Sequence, residues 1–203
     1  MENLYNEKNE NIKTDNTKTL RMDLYDWIQC IVSALICGIL IFVFVGRTIG
    51  VDGRSMEKTL KDTDRVVMRS LFYTPKVGDI VVFQSTSVDR FKNIPLVKRV
   101  IAVEGQTLDI NFDTGDVFVD GVLLDEPYTH TLTTNRQDFQ GPITIKPGHV
   151  FVMGDNRSSS TDSRSIDVGE VDTRYILGKV LFILIPGESA GEQRDWSRFG
   201  VVR

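Results

Sequence analysis

A chain of 203 residues has room for one ordinary domain and a short appendage. At 41% hydrophobic and 26% charged it can bury a core over most of its length, and its net charge of −4 excludes nucleic-acid binding driven by a general excess of positive charge. Its two cysteines, Cys30 and Cys37, share one apolar stretch, which excludes a domain stapled by disulfides.

Residues 1–26 are polar and rich in Asn, Lys, Glu and Thr, and they read as a flexible tail with too little apolar surface to fold. The composition then changes sharply. Residues 27–46 read WIQCIVSALICGILIFVFVG without a charge, the length of helix that crosses a bilayer. Tyr25 and Trp27 sit where interfacial aromatics belong, and Arg47 closes the far end. The run is longer than the apolar part of a cleaved signal peptide. The tail before it is as acidic as it is basic, and Gly46 is followed by Arg47 and not by a small-residue cleavage site. A buried core helix does not fit either, because every face is apolar. Cys30 and Cys37 read as small hydrophobes within it, without a redox or metal role. Lys8, Lys13, Lys18 and Arg21 precede the run, and Arg47, Arg54, Lys58, Lys61, Arg65 and Arg69 follow it. That count alone favours a cytoplasmic C-terminal domain, but long domains translocate regardless of charge, so charge leaves the orientation open.

Residues 47–203 read as an all-β domain, mostly antiparallel. Strands are predicted at Arg65–Leu71, Asp79–Gln84, Leu96–Val103, Thr107–Phe112, His149–Met153 and Ile176–Ile185. Val117–Leu124 reads as a hairpin with Asp120–Gly121 as its two-residue turn. Turn signals at Pro75–Gly78, Thr114–Gly115, Pro147–Gly148 and Pro186–Gly187 punctuate them. The Thr-, Asn- and Gln-rich stretch Thr129–Gly141 is expected as a long surface loop.

No cysteine lies outside the apolar run, and the two histidines, His130 and His149, read as loop and turn residues. Neither a Ser-His-Asp triad nor a zinc site is therefore indicated, and no metal or cofactor is expected. Three segments stand out: Gly53–Leu60 just after the apolar run, Val97–Val103, and Gly154–Arg164. In the second, Lys98 and Arg99 are neighbours in an otherwise apolar strand. Adjacent strand residues point to opposite faces, so at least one charge lies on an apolar side. Periodicity does not choose between them. Chemistry does, since a buried lysine loses its proton toward neutral pH and becomes a general base, whereas arginine effectively never deprotonates.

Together these segments resemble the sequence boxes of type I signal peptidases. Ser55-Met-Glu-Lys-Thr-Leu60 is similar to the family's Ser-Met-x-Pro-Thr-Leu, with Lys58 in place of proline. Lys98-Arg-Val-Ile101 repeats the lysine box, and Gly154 to Arg164 fits Gly-Asp-Asn-Arg-x-x-Ser-x-Asp-Ser-Arg. Gly78-Asp-Ile-Val-Val-Phe83 resembles a further box. The chain departs from the family at Ala102-Val-Glu-Gly-Gln106 and at Gly53, where some members carry a serine that helps hold the oxyanion. The resemblance implies a β-sheet domain behind a single membrane span, as in the compact Gram-positive type. It implies Ser55 as nucleophile and Lys98 as general base, with Ser160 orienting the lysine and Asp162 and Arg164 as a structural pair. It also implies a bacterial cell-membrane protein with a cytoplasmic N-terminus and an extracytoplasmic catalytic domain. Its partners would be signal-peptide-bearing preproteins cut at A-x-A sites, the lipid bilayer and the protein export machinery.

Ser55-Met-Glu-Lys58 is also a literal S-x-x-K, the signature of penicillin-binding proteins and class A β-lactamases. Those families also need Lys-Thr-Gly and Ser-x-Asn. Here Lys58-Thr is followed by Leu60, and Ser-x-Asn does not occur. Self-cleaving repressors share Ser–Lys chemistry but carry a DNA-binding domain in place of an apolar run. A catalytically dead scaffold that only binds export substrates is the remaining alternative, and an activity assay separates it.

Overall fold

The computed structural model describes residues 24–39, 47–85, 94–188 and 193–202. The chain divides into two units, Met1–Phe44 and Val45–Arg203. In the first, residues 24–39 form one helix, α1, whose apolar side chains, Trp27, Ile31, Leu35 and Ile39 among them, are exposed. No helix among the described residues is long and apolar enough to cross a membrane. The stretch 40–46 of the expected span and most of the expected tail, 1–23, lie outside the described residues.

In the second unit the paired strands among the described residues are all antiparallel, as expected, and one isolated bridge, Thr131 with Asn156, is parallel. Its strands are β1 (Arg47–Gly50), β2 (Arg65–Arg69), β3 (Ile80–Gln84), β4 (Pro95–Val103), β5 (Thr107–Asn111), β6 (Asp116–Val119), β7 (Val122–Leu123), β8 (Ile143–Thr144), β9 (His149–Met153), β10 (Val171–Asp172), β11 (Ile176–Ile185) and β12 (Gly200–Val201). The larger sheet runs β1-β2-β11-β3-β4-β9-β10 with β12 added to β11, and the smaller runs β7-β6-β5-β8. The long predicted strands are present within a residue or two at their ends. Short strands such as β1, β8, β10 and β12 went unread, because two to four residues carry too little periodicity. In the hairpin, Asp120 (φ 53) and Gly121 (φ 76) both lie in the left-handed region, the turn that Asp-Gly favours. Asp120 adds a second function there, accepting the Thr107 N–H at 2.8 Å.

Three apolar clusters hold the sheets. Ile101, Phe151 and Met153 pack with Leu108, Ile110, Val117 and Phe139, joining the larger sheet to the smaller. On β3, Ile80 and Val82 join one cluster with Val66, Met68 and Val180, while Val81 and Phe83 join another with Val100, Val150 and Val152. Both faces of β3 are thus covered, which is why it reads as a continuous apolar run. The stretch Thr129–Gly141 is the expected surface loop, exposed over most of its length between β7 and β8, but it is pinned to the fold at several points. Thr133 and Phe139 are buried, Gln137 donates to Ser160 O at 2.8 Å, and the Asn135 carbonyl accepts from Arg164 Nη1 at 2.9 Å. At those points its polar groups satisfy buried partners in place of water.

Candidate active site

Between β1 and β2 the chain makes a loop closed at its base, where Val51 N–H donates to Asp64 O at 2.8 Å and Thr63 N–H to Val51 O at 2.9 Å. Met56 (1% exposed) and Leu60 (0%) plug the loop into the core cluster of β2, β3 and β11. Burial of side chains of this size stabilises by about 1.5–3 kcal/mol each, so Ser55 is carried beside an anchored neighbour. Gly53 adopts φ 90, a conformation that favours glycine, and its N–H donates to Asp62 Oδ1 at 2.8 Å.

Lys98 lies on β4, paired with Val81 of β3 on one side. On the other side β9 pairs with β4 only as far as Met153 opposite Arg99. Beyond that row β9 ends and the chain turns away at Gly154, leaving room beside Lys98 for the Ser55 loop. Lys98 Nζ donates to Ser55 Oγ at 2.7 Å and to Val97 O at 3.1 Å. The side chain is only 4% exposed. Burial lowers its pKa from 10.5 to about 8, with Asp162 and Asp155 pulling it back up and Arg164 pushing it down.

Both Lys98 and Arg99 are buried, where the strand alternation required only one of them to be. Arg99 is satisfied by a bidentate pair with Asp155, at 2.8 and 2.7 Å, and by the Tyr128 ring 3.9 Å from its Cζ. Tyr128 is itself held high in pKa, first by burial and then by Glu126. Asp155 also accepts from the Thr59 hydroxyl at 2.5 Å, which ties the Ser55 loop to the lysine strand.

The segment after β9 closes the site. Gly154 lies between Ser160 Oγ and Ser55 O so tightly that a Cβ there would collide with both. Asn156 N–H donates to Ser55 O at 3.0 Å, and its side-chain amide donates to Arg54 O at 3.2 Å. Asp162 accepts the Gly154 N–H at 3.0 Å and pairs with Arg164 through two 2.9 Å bonds, both side chains fully buried. Ser160 is in place beside this turn, but the lysine-orienting hydrogen bond implied by the family pattern is not made: Ser160 Oγ is buried without a hydrogen-bond partner among the described residues.

The other candidates lie elsewhere. Lys58 is exposed and donates to Pro127 O at 3.2 Å, not to Ser55. His149 Nδ1 sits 2.9 Å from Pro147 O in its own turn, and His130 donates its backbone N–H to Asp155 O. A cavity of about 470 Å³ lined by Tyr73, Val103, His149 and Ile176 includes neither Ser55 nor Lys98. No group of three or more metal-ligating side chains occurs among the described residues. Sequence reading missed Glu126 and Thr133, which hold the buried Arg157, because nothing in a polar loop marks them. It also missed the ion pair of Asp64 with Arg198, whose partners are far apart in sequence.

The family model described as "Signal peptidase, peptidase S26" matches residues 24–185. The chain belongs to this family. Its activity is that of a type I signal peptidase. It is 33% identical over 187 residues to Signal peptidase I of Bacillus licheniformis, covering 86% of this chain and 94% of that one. It is 32% identical over 185 residues to Signal peptidase IB of Staphylococcus aureus strain Mu50, covering 82% and 92%. It is 34% identical over 172 residues to Probable signal peptidase I-1 of Synechocystis, covering 81% and 84%. Among solved structures, a signal peptidase I from Enterococcus faecalis V583 aligns with a TM-score of 0.43 and 26% identity, over 53% of this chain and 97% of that one. In this signal peptidase the four sequence boxes become the loop of Ser55, the strands β3 and β4, and the turn after β9. The segment from Pro186 onward lies past the family match.

Proposed function

We propose that this chain is a membrane-anchored serine endopeptidase that removes N-terminal signal peptides from exported preproteins after small residues, with Ser55 as nucleophile and Lys98 as general base. The observation that carries the reading is the 2.7 Å contact between Ser55 Oγ and the amine of a buried lysine. A lysine titrating at about 8 is neutral in a useful fraction of molecules near neutral pH. In that form the amine accepts the Ser55 proton as Oγ attacks the scissile carbonyl carbon. The tetrahedral intermediate collapses as the protonated amine returns its proton to the leaving peptide nitrogen, and the signal peptide remains as an acyl ester on Oγ. Water, deprotonated by the same amine, then releases the acid and regenerates the hydroxyl. The Ser55 backbone N–H is assigned to the oxyanion. Asp162 and Arg164 brace the turn at Gly154, and Ser160 packs beside it.

The substrate lies extended. Among the described residues β4 has no β9 partner from Pro95 to Lys98, an edge on which a peptide strand adds by backbone hydrogen bonds. Small side chains at −1 and −3 then face the surface beside Ser55, the A-x-A preference. The apolar run at 27–46 is assigned to a single membrane span, with the N-terminus cytoplasmic and residues 47–203 outside the cell membrane. The exposed large apolar side chains along α1, from Trp27 to Ile39, support a bilayer as its surroundings. The protein export machinery that delivers preproteins is its expected neighbour.

The test is cleavage of a preprotein whose signal ends in Ala-x-Ala by the full chain in detergent. Wild type and Lys58→Ala cut after the −1 alanine, while Ser55→Ala and Lys98→Ala do not. Loss of activity in Lys58→Ala with retention in Lys98→Ala would overturn the assignment of the base.

A further inference from the structure

We infer that Arg198, on the C-terminal segment past the family match, is a positioning residue for the Ser55 nucleophile. This rests on the Ser55–Lys98 reading above and extends it to a part of the chain that none of the four boxes includes.

The closed loop that carries Ser55 ends at Asp64, a carboxylate with no exposed side-chain surface. Four donors converge on it: Lys61 N–H at 2.8 Å, Gly187 N–H at 2.6 Å, and Arg198 through Nη1 at 2.8 Å and Nη2 at 2.7 Å. Two of the three residues that supply them, Gly187 and Arg198, come from the C-terminal segment. Arg198 Nη2 also donates to Thr59 O at 3.3 Å, inside the nucleophile loop. Thr59 passes the constraint on, since its hydroxyl donates to Asp155, which holds Arg99, the neighbour of Lys98. One guanidinium therefore grips the loop at its base and at its middle, and the middle is tied to the strand of the base.

Arg198 is itself fixed. It ends the short 3-10 turn Trp196–Arg198, which Asp195 caps by accepting the Ser197 N–H at 3.0 Å. Strand β12 pairs with β11 through Phe182↔Val201 and Ile183↔Gly200, and Phe199 meets Phe182 edge-on with centroids 6.1 Å apart. A segment docked on β11 thus reaches across to the loop with a rigid bidentate fork, the geometry lysine lacks. A merely decorative surface pair would be exposed on both sides. Here the arginine side chain is 14% exposed and the carboxylate 0%.

When the grip is lost, the loop loosens and two quantities change together. Ser55 Oγ moves off line, so kcat falls while KM, set along the β4 edge, stays near its wild-type value. Water reaches Lys98, which keeps Asp155, Asp162, Arg164 and Arg99 as its charged neighbours but loses part of its burial. The lysine then holds its proton to higher pH, and the acid limb of the rate profile moves upward.

The experiment is a pH profile of kcat and kcat/KM from pH 6 to 10 for the full chain in detergent, with a peptide ending its signal in Ala-x-Ala. Wild type, Arg198→Ala and Arg198→Lys are compared, and thermal melts confirm that each is folded at the assay temperature. The expected result for Arg198→Ala is a fall in kcat of about tenfold, KM within about twofold and an upward-shifted limb, with Arg198→Lys intermediate. A limb left at its wild-type position overturns the inference, whatever the fall in kcat. If Arg198→Ala does not fold, Arg198→Lys decides: a smaller upward shift supports it and an unmoved limb overturns it. A wild-type profile without a limb near 8 instead overturns the Ser55–Lys98 reading and this inference with it.

Discussion

Raising the pH from 7 to 9 is the perturbation that tests the chemistry most directly. Burial places the Lys98 pKa at about 8, against 10.5 for an ordinary lysine. At pH 7 about one-eleventh of the molecules then carry the free amine, and at pH 9 about ten-elevenths do, a rise of about tenfold that levels off. With an ordinary lysine only about one molecule in 3,000 would be competent at pH 7, so the buried site raises the active fraction about 300-fold. The rate would then climb about a hundredfold from pH 7 to 9 without a plateau. The assay is kcat/KM for a peptide ending its signal in Ala-x-Ala, which reports the free enzyme's ionisations. A profile that rises tenfold per pH unit through pH 9, or one that is flat from pH 6 to 9, refutes the argument that the desolvated lysine is the base.

The same ionisation appears in stability. The folded chain binds fewer protons than the unfolded chain between about pH 8 and 10.5, so stability rises with pH across that window, and the penalty is fully present below it. Lys98→Met has no such proton, and in urea it is more stable than wild type at pH 7 by up to about 3 kcal/mol, a gap that closes by pH 10.5. Gly154→Ala puts a methyl against Ser160 Oγ and Ser55 O and lowers kcat by at least about tenfold; an unchanged kcat would show that the turn is free to move. Asp162→Ala leaves the fully buried Arg164 unpaired and costs about 3–5 kcal/mol by denaturant titration. Removing the exposed Arg174 from its pair with Asp172 leaves the denaturation midpoint in place.

What could be read from the chain alone was whatever is written locally. Strands such as β9 and β11 announce themselves by apolar patterning, and the Asp120–Gly121 turn by the backbone it demands. The Lys98–Arg99 pair announced itself as charge in an apolar strand, and Ser55, Lys98 and the run Gly154–Arg164 stood in recognisable boxes. What needed the tertiary structure was every partnership between residues distant in sequence. That Lys98 meets Ser55 at 2.7 Å depends on where β9 stops, one residue before Gly154. That Arg99 can be buried beside it depends on Asp155, and that the exposed loop Thr129–Gly141 is pinned to the fold depends on Gln137, Asn135 and Thr133 finding buried partners. Arg198 had no local mark at all, since an arginine near a chain end is ordinary until a carboxylate 134 residues away is folded against it. Periodicity and turn chemistry act over a few residues and leave a trace in composition, whereas a hydrogen bond across the fold is set by the meeting of two elements, and neither element's sequence records the other.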